Sequence, residues 1–211
     1  MALRQLVVGI AGGSGSGKST LVERLLGGPL KDSISVLPHD HYYHSQEQLP
    51  ADLRETHNWD HPDSIDNQLF ATHLLQLKNG DDVERPVYCF KTHRRLPDRN
   101  LVTSKPIILV EGILLLAIPV IRELIDWRIY IDAPSDERIL RRIVRDTTER
   151  GRTLQSVIDQ YRGSARPMHE AWIEPSRTSA HLVVPNEHEA SFLVSGRIIE
   201  NALENMLRVG M

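Results

Sequence analysis

Eight residues, Gly12-Gly13-Ser14-Gly15-Ser16-Gly17-Lys18-Ser19, constrain this chain more than any other stretch. They fit the pattern G-x-x-x-x-G-K-S, and the apolar run Leu6-Val7-Val8-Gly9-Ile10 stands directly before them, where a buried strand belongs. Leu21, Val22, Leu25 and Leu26 follow at helical spacing. Strand, glycine-rich turn and helix N-terminus together make an anion cradle. Small residues let successive backbone N–H groups converge on one phosphate chain, and the helix dipole favours its charge. In that frame the stretch from Gly12 to Thr20 wraps the phosphates, Lys18 reaches the β- and γ-phosphates, and Ser19 ligates Mg²⁺. A flexible Gly/Ser linker has a similar composition, but it would not sit between an apolar strand and an amphipathic helix with Lys-Ser in register. A nucleoside triphosphate site is expected, and the open question is where the γ-phosphate goes.

At 211 residues the chain is expected to form one domain spanning 1–211, with a substantial core. Lys and Arg number 25 against 28 Asp and Glu, so no global basic field points to nucleic acid. No signal pattern precedes the first strand and no apolar run approaches membrane-spanning length, so no membrane partner is expected and the protein reads as cytoplasmic. Cys89 is the single cysteine, which excludes an internal disulfide and any Cys-based zinc site.

After the first helix, Gly27-Gly28-Pro29 breaks the pattern and Ile34 to Leu37 reads as a second strand ended by Pro38. Asp40 falls just past it, close to the phosphate loop if the sheet is open and parallel. Residues 44 to 63 are polar and Pro-punctuated, too long for a mere connector and so a candidate substrate loop. Asp63 or Ser64 is expected to cap a helix carrying Leu69, Leu74, Leu75 and Leu77 that stops at Asn79-Gly80. Val83 to Phe90 reads as a strand, but Pro86 demotes it to an edge or an appended hairpin, with Tyr88 and Phe90 on one face. Ile107 to Val110 returns as a buried parallel strand ending in Glu111, where an acid would face the metal on Ser19. Trp127 to Ile131 is another strand, followed by a helix through Arg150 with Ile139, Ile143 and Val144 as its buried stripe, then a helix from Thr153, the strand Leu182–Pro185 and a last helix. The fold expected is α/β: a three-layer α/β/α sandwich of P-loop NTPase type on a mostly parallel sheet, with a small β-hairpin region and an Arg-rich helical lid at about 134–152.

Phosphoryl transfer needs in-line positioning, metal ions and positive charge on the equatorial oxygens more than covalent help. Arg138, Arg141, Arg142, Arg145, Arg150 and Arg152 cluster on one helix and its exit and can supply that charge. A solvated helix is the plain alternative, since Glu137 with Arg141, Arg142 with Asp146 and Arg145 with Glu149 are ordinary i,i+4 pairs; Arg150 and Arg152 lie at a Gly-broken end without such partners. A hydroxyl acceptor has to lose its proton, and Asp40 is the candidate base. Asp60 can grip a vicinal diol through two charge-assisted hydrogen bonds. His39-x-His41-x-x-His44 lacks the further ligands a metal site needs, and Trp59, Tyr88 and Phe90 are either packed core or an aromatic slot for a base.

The phosphate loop, Pro38-His39-Asp40-His41-Tyr42-Tyr43, Asn58-Trp59-Asp60-His61-Pro62-Asp63, Pro86-Val87-Tyr88, His93, Val110-Glu111-Gly112, Arg145-Asp146, Glu149-Arg150-Gly151-Arg152 and Arg166-Pro167-Met168-His169 together resemble the uridine/cytidine kinases. The resemblance covers nearly the whole chain. It implies ATP or GTP as donor, Mg²⁺ on Ser19 and Glu111 beside Asp40, and Asp40 as general base. It also implies a nucleoside-binding insert at about 44–100, in which Asp60, with Arg142 and Arg152, holds the ribose of uridine or cytidine. Trp59, Tyr88, Phe90 and His93 would line the base site, Arg145 and Arg150 would meet the phosphates, and the assembly would be a homotetramer. Several positions depart from the common pattern: His41 stands where Ser is usual, Trp59 replaces a smaller aromatic, Cys89 replaces an acid, Thr178-Ser179-Ala180-His181 stands where Arg-Tyr-Ala-Asp is usual, and Asn186-Glu187 replaces a Gly-containing turn. Two rivals remain open: a related P-loop kinase acting on ribulose phosphate, pantothenate or nicotinamide riboside, and a non-kinase P-loop switch.

Overall fold

Apolar runs too continuous for a one-sided strand build the centre of the molecule. The computed structural model describes residues 5–47, 49–50 and 57–209; residues 48 and 51–56 of the expected substrate loop lie outside the described residues, as do the two ends of the expected 1–211 domain. Strands β1 (Leu6–Ala11), β2 (Ile34–Pro38), β5 (Ile107–Glu111), β6 (Trp127–Asp132) and β7 (Leu182–Pro185) form one sheet in the order β2-β5-β1-β6-β7. Every pairing in it is parallel. Such a sheet must be covered on both faces, and alternate residues of β1 do that work. Val7 packs with Ile108, Val110 and, from helix α2 (Asn67–Lys78), Phe70, Leu74 and Leu77. Val8 and Ile10 pack on the other side with Leu21 and Leu25 of helix α1 (Lys18–Gly27) and with Ile199 and Leu203 of the last helix (Glu189–Val209). The three-layer α/β sandwich expected from the sequence is the architecture observed.

Strands β3 (Val83–Cys89) and β4 (Arg94–Val102) form a separate antiparallel hairpin, with an irregular register between Pro86 and Val87. Pro86 places this pair outside the main sheet, because a strand interior cannot spare its N–H. Between β5 and β6 lies the one-turn helix α3 (Pro119–Arg122). Helix α4 (Ser135–Thr148) follows β6, and α5 (Leu154–Gln160), capped by Thr153 through Ser156 N–H, runs on through π-helical turns at Tyr161–Ala165 and His169–Ile173. The last helix is α6 (Glu189–Val209). Among the described residues no helix is long and apolar enough to cross a membrane.

Two local expectations are corrected. The cap of α2 is Asp66, which accepts from Leu69 N–H at 3.1 Å, and not Asp63 or Ser64. Pro62 starts a separate 3₁₀ turn, and the Ser64 hydroxyl donates instead to the carbonyls of Trp59 (2.8 Å) and His61 (2.6 Å). In α4 the buried side chains are Arg142 and Asp146, whereas Val144 is 64 % exposed and Ile139 and Ile143 are only half-buried. The stripe expected to be apolar is charged because this helix faces a polar cavity and not the core.

Candidate active site

The phosphate loop leaves the C-terminal end of β1, where ligands collect in open parallel sheets. Gly15 and Gly17 adopt φ of +78° and +101°, and Gly17 serves as the N-cap of α1. A side chain at Gly17 would also collide with the amide of Asn186, which donates to Ser16 O at 2.7 Å. Lys18 Nζ donates to the carbonyls of Gly12 (3.1 Å) and Gly13 (3.0 Å). Burial pulls its pKa below that of an ordinary lysine, with the charges of Glu111 and Asp40 opposing. Ser19 Oγ lies 3.3 and 3.4 Å from the two carboxylate oxygens of Glu111, the last residue of β5, which sits in register beside Ile10 and Pro38. Burial raises the Glu111 pKa, with Lys18 opposing. Gly112 follows, and the Cβ of a larger residue there would lie 2.6 Å from His39 Cβ.

Beside the loop opens a cavity. Ser14 forms its phosphate end, and the two acidic residues singled out in the sequence, Asp40 and Asp60, both line it. Asp40 sits on the 3₁₀ turn His39–Tyr42 just past β2, and its Oδ1 is buried without a hydrogen-bond partner among the described residues. Asp60 is 5 % exposed in the loop that Ser64 fastens. Burial pushes its carboxyl pKa up, while Arg142, 3.9 Å away, pulls it down; its Oδ2 likewise has no hydrogen-bond partner among the described residues. Two buried acceptors without donors, facing one cavity, call for a ligand rich in hydroxyl groups.

The far wall is aromatic. Trp59 and His93 stack at 4.7 Å and 11°, Tyr88 and Phe90 meet edge to face at 5.2 Å, and all four line the cavity. His93 occupies the hairpin turn with φ 55°, a left-handed conformation that histidine tolerates better than most side chains. Tyr88 OH lies 3.5 Å from His93 Nδ1.

The basic helix and its exit close the remaining side. Arg142, Arg145, Arg150 and Arg152 all line the cavity, and Arg145 reaches Ser14 Oγ at 3.4 Å. Arg141 pairs with Glu137 at 3.5 Å and Arg142 with Asp146 at 3.5 Å, as the i,i+4 spacing predicts. Arg145 turns to Asp146 at 2.7 Å where Glu149 was expected. Arg150 is not partnerless: it lies 3.6 Å from Asp146 and 4.6 Å over the Phe90 ring. Arg152 is held by Gln160 and Ser156, and Gln160 also accepts from Arg142 at 2.8 Å. Sequence reasoning gave no lining role to Gln160, which carries no motif signal, nor to Tyr43 and Ile113, which stand within or beside recognised stretches without a role of their own. A second groove lies on the outer side of the loop, where Gly15, Lys18, Thr20, Arg141, Asn186 and Phe192 meet.

Of the histidines near the site, His39 bonds Asn67 at 3.0 Å and His41 accepts from Tyr88 N–H at 3.2 Å. No three His, Cys, Asp or Glu side chains among the described residues gather as a metal cluster. Ser19 with Glu111 still fits a hard cation that takes most of its ligands from phosphate and water.

A family model described as the phosphoribulokinase/uridine kinase family matches residues 7–191. The chain belongs to that family. Membership makes it a phosphotransferase with a nucleotide-binding loop. Among the curated members it is similar to the uridine kinase of Clostridium perfringens (strain ATCC 13124), 44 % identical over 182 residues covering 86 % of this chain and 88 % of that one. It is also 40 % identical to the uridine kinase of Oceanobacillus iheyensis over 208 residues, covering 99 % and 98 % of the two chains. Its fold matches the phosphoribulokinase of Rhodobacter spheroides with a TM-score of 0.62 at 13 % identity, over 90 % of this chain and 75 % of that one.

Proposed function

We propose that the protein transfers the γ-phosphoryl group of ATP to the 5′-hydroxyl of uridine and cytidine. One observation carries the reading: a phosphate-loop residue, two carboxylates with unpartnered buried oxygens, and a wall of aromatic rings share one cavity. A phosphate loop alone suits any P-loop enzyme; a diol site beside a flat aromatic wall suits a nucleoside. The sequence kinship to curated uridine kinases supports the same substrate.

In this reading the triphosphate lies along Gly12 to Thr20, with Lys18 and Arg145 against its terminal phosphates. Ser19 and Glu111 hold Mg²⁺, with Asp40 beside them. Held there, the ion would supply positive charge to the phosphate chain. Asp60, with Arg142 and Arg152, holds the ribose hydroxyls, which turns the 5′-hydroxyl toward the phosphate loop. Asp40 accepts the proton that this hydroxyl loses as its oxygen bonds to phosphorus. Arg145 and Arg150 stabilise charge on the transferring group. A neutral His93 donates to a carbonyl from a protonated ring nitrogen or, as the other tautomer, accepts from an amino group, so one slot serves both bases. Competition between uridine and cytidine should show preference within about tenfold, roughly 1.4 kcal/mol. GTP is the alternative donor. The proposed assembly is a homotetramer in the cytoplasm, its mass readable by light scattering.

The test is an acceptor panel. With ATP and Mg²⁺, uridine and cytidine should yield their 5′-monophosphates, while ribulose phosphate, pantothenate and nicotinamide riboside give turnover at least tenfold lower. Preferred turnover of any of those three would overturn the assignment.

A further inference from the structure

Asp40 and the aromatic slot belong to different parts of the fold. Asp40 stands on the turn after β2, in the main sheet's layer; Tyr88 and Phe90 stand on a hairpin that forms its own sheet. Among the described residues no strand pairing fixes one against the other, so side chains must.

Two side chains do this through hydrogen bonds, beside the ring contact of Tyr43 with Tyr88 at 5.3 Å. His41 follows Asp40 directly, and its Nδ1 accepts from the backbone N–H of Tyr88 at 3.2 Å while its ring meets Phe90 edge-on at 6.1 Å. From the opposite strand, Arg95 donates to the carbonyls of Tyr42 (2.6 Å) and Tyr43 (2.7 Å) and lies 3.3 Å from the carboxylate of Asp66, the cap of α2. The other flank of Asp40 is fixed to α2 itself: His39 is fully buried, bonded to Asn67 and packed edge-on against Phe70 at 4.6 Å. The carboxylate is thus carried by a short turn with one shoulder on the helix and the other on the base-binding hairpin. A planar ring packed in the cavity against Tyr88 presses on the strand whose backbone His41 holds.

We propose that His41, with Arg95, is a positioning residue that transmits occupancy of the base slot to the turn carrying Asp40. The hairpin's binding contacts then act on the reacting hydroxyl's proton acceptor as well as on affinity, which is how remote contacts raise kcat and not only lower KM. This rests on the nucleoside kinase reading above.

Hydrogen–deuterium exchange on the full chain, with and without uridine, tests it together with kinetics. Uridine should increase protection across residues 39–43 in the unchanged protein. In His41→Ala that increase is lost although uridine still binds within about threefold of the original Kd, and kcat falls at least tenfold. His41→Asn, whose side-chain oxygen takes the place of Nδ1, should recover kcat to within about threefold. Arg95→Lys, which keeps the charge beside Asp66 but cannot span both carbonyls, provides a second variant with the same readouts if His41→Ala does not fold. Persisting protection in the variants, a Kd that rises as far as kcat falls, or an Asn variant no better than Ala overturns the coupling. Failure of the unchanged protein to bind uridine overturns the kinase reading and the coupling with it; uridine turnover without any exchange change overturns the coupling alone.

Discussion

His39 has no exposed surface, and burial holds its pKa at about 4 against an ordinary histidine value of 6.5. The unfolded chain therefore takes up a proton that the folded chain refuses, so the stability His39 contributes is complete above pH 6.5 and is lost as pH falls from 6.5 toward 4. At about 1.36 kcal/mol per unit, the loss is on the order of 3 kcal/mol. Asp60 and Glu111 run the other way: their pKa values are raised, and folding gains from them on acidification. Comparing His39→Gln with the unchanged protein cancels those carboxylates. Urea titrations at pH 7 and pH 4.5 should show the substituted protein losing about 2 to 3 kcal/mol less; equal losses would contradict the assignment. Asp60 gives a second residue-scale prediction. Its buried, unpartnered oxygen should make 2′-deoxyuridine poorer than uridine by about 1.5 to 3 kcal/mol in kcat/KM. In Asp60→Asn the two nucleosides should differ by less than about threefold, and equal rates for both on the unchanged protein would remove Asp60 from the ribose.

Helix α2 is fastened to the sheet by a buried charge. Lys78, 1 % exposed, donates to Asp126 Oδ1 at 2.7 Å and to Leu124 O at 2.6 Å, while Asp126 Oδ2 accepts from Val7 N–H in β1 at 3.0 Å. Removing one partner strands the other. Asp126→Ala should destabilise by on the order of 3 kcal/mol, and Lys78→Met added to it should recover part of that loss, because no unpaired ammonium then remains. Denaturant midpoints of the single and double variants decide it; a double variant less stable than the single would contradict the account. Elements differ in how far their sequence announced them. β1, β5 and α1 were legible because apolar runs and turn chemistry agree there. β4 was not, since Arg94, Asp98, Arg99 and Asn100 face solvent in a two-stranded hairpin and show little strand pattern. Helix α4 misled in the other direction: Val144 looked like core by spacing, but its neighbours across the buried face are the polar walls of a cavity.

At the scale of the molecule, the sheet order brings three distant stretches to one edge. β1 delivers the phosphate loop, β2 delivers Asp40 and β5 delivers Glu111, all from C-terminal strand ends of a parallel sheet. That convergence was foreseeable, because a strand ending in a polar residue within such a sheet has one place to put it. The bonds that arrange the site were less so. Gln160 joins Arg142 and Arg152 through a side chain with no motif of its own, and Asp146 gathers Arg142, Arg145 and Arg150 although its spacing marked it as one half of a surface pair. Local spacing shows which residues are neighbours along a helix, and only the packed fold decides which of them turn inward. At this edge a phosphoryl group passes to a nucleoside and not to water. The most direct measurement follows label from γ-phosphate-labelled ATP in single turnovers with Mg²⁺, with and without uridine. Label should appear in uridine 5′-monophosphate, one for each ADP released, and ADP formation should fall to the enzyme-free rate when uridine is omitted. Label arriving in inorganic phosphate at the same rate with or without uridine would contradict the account.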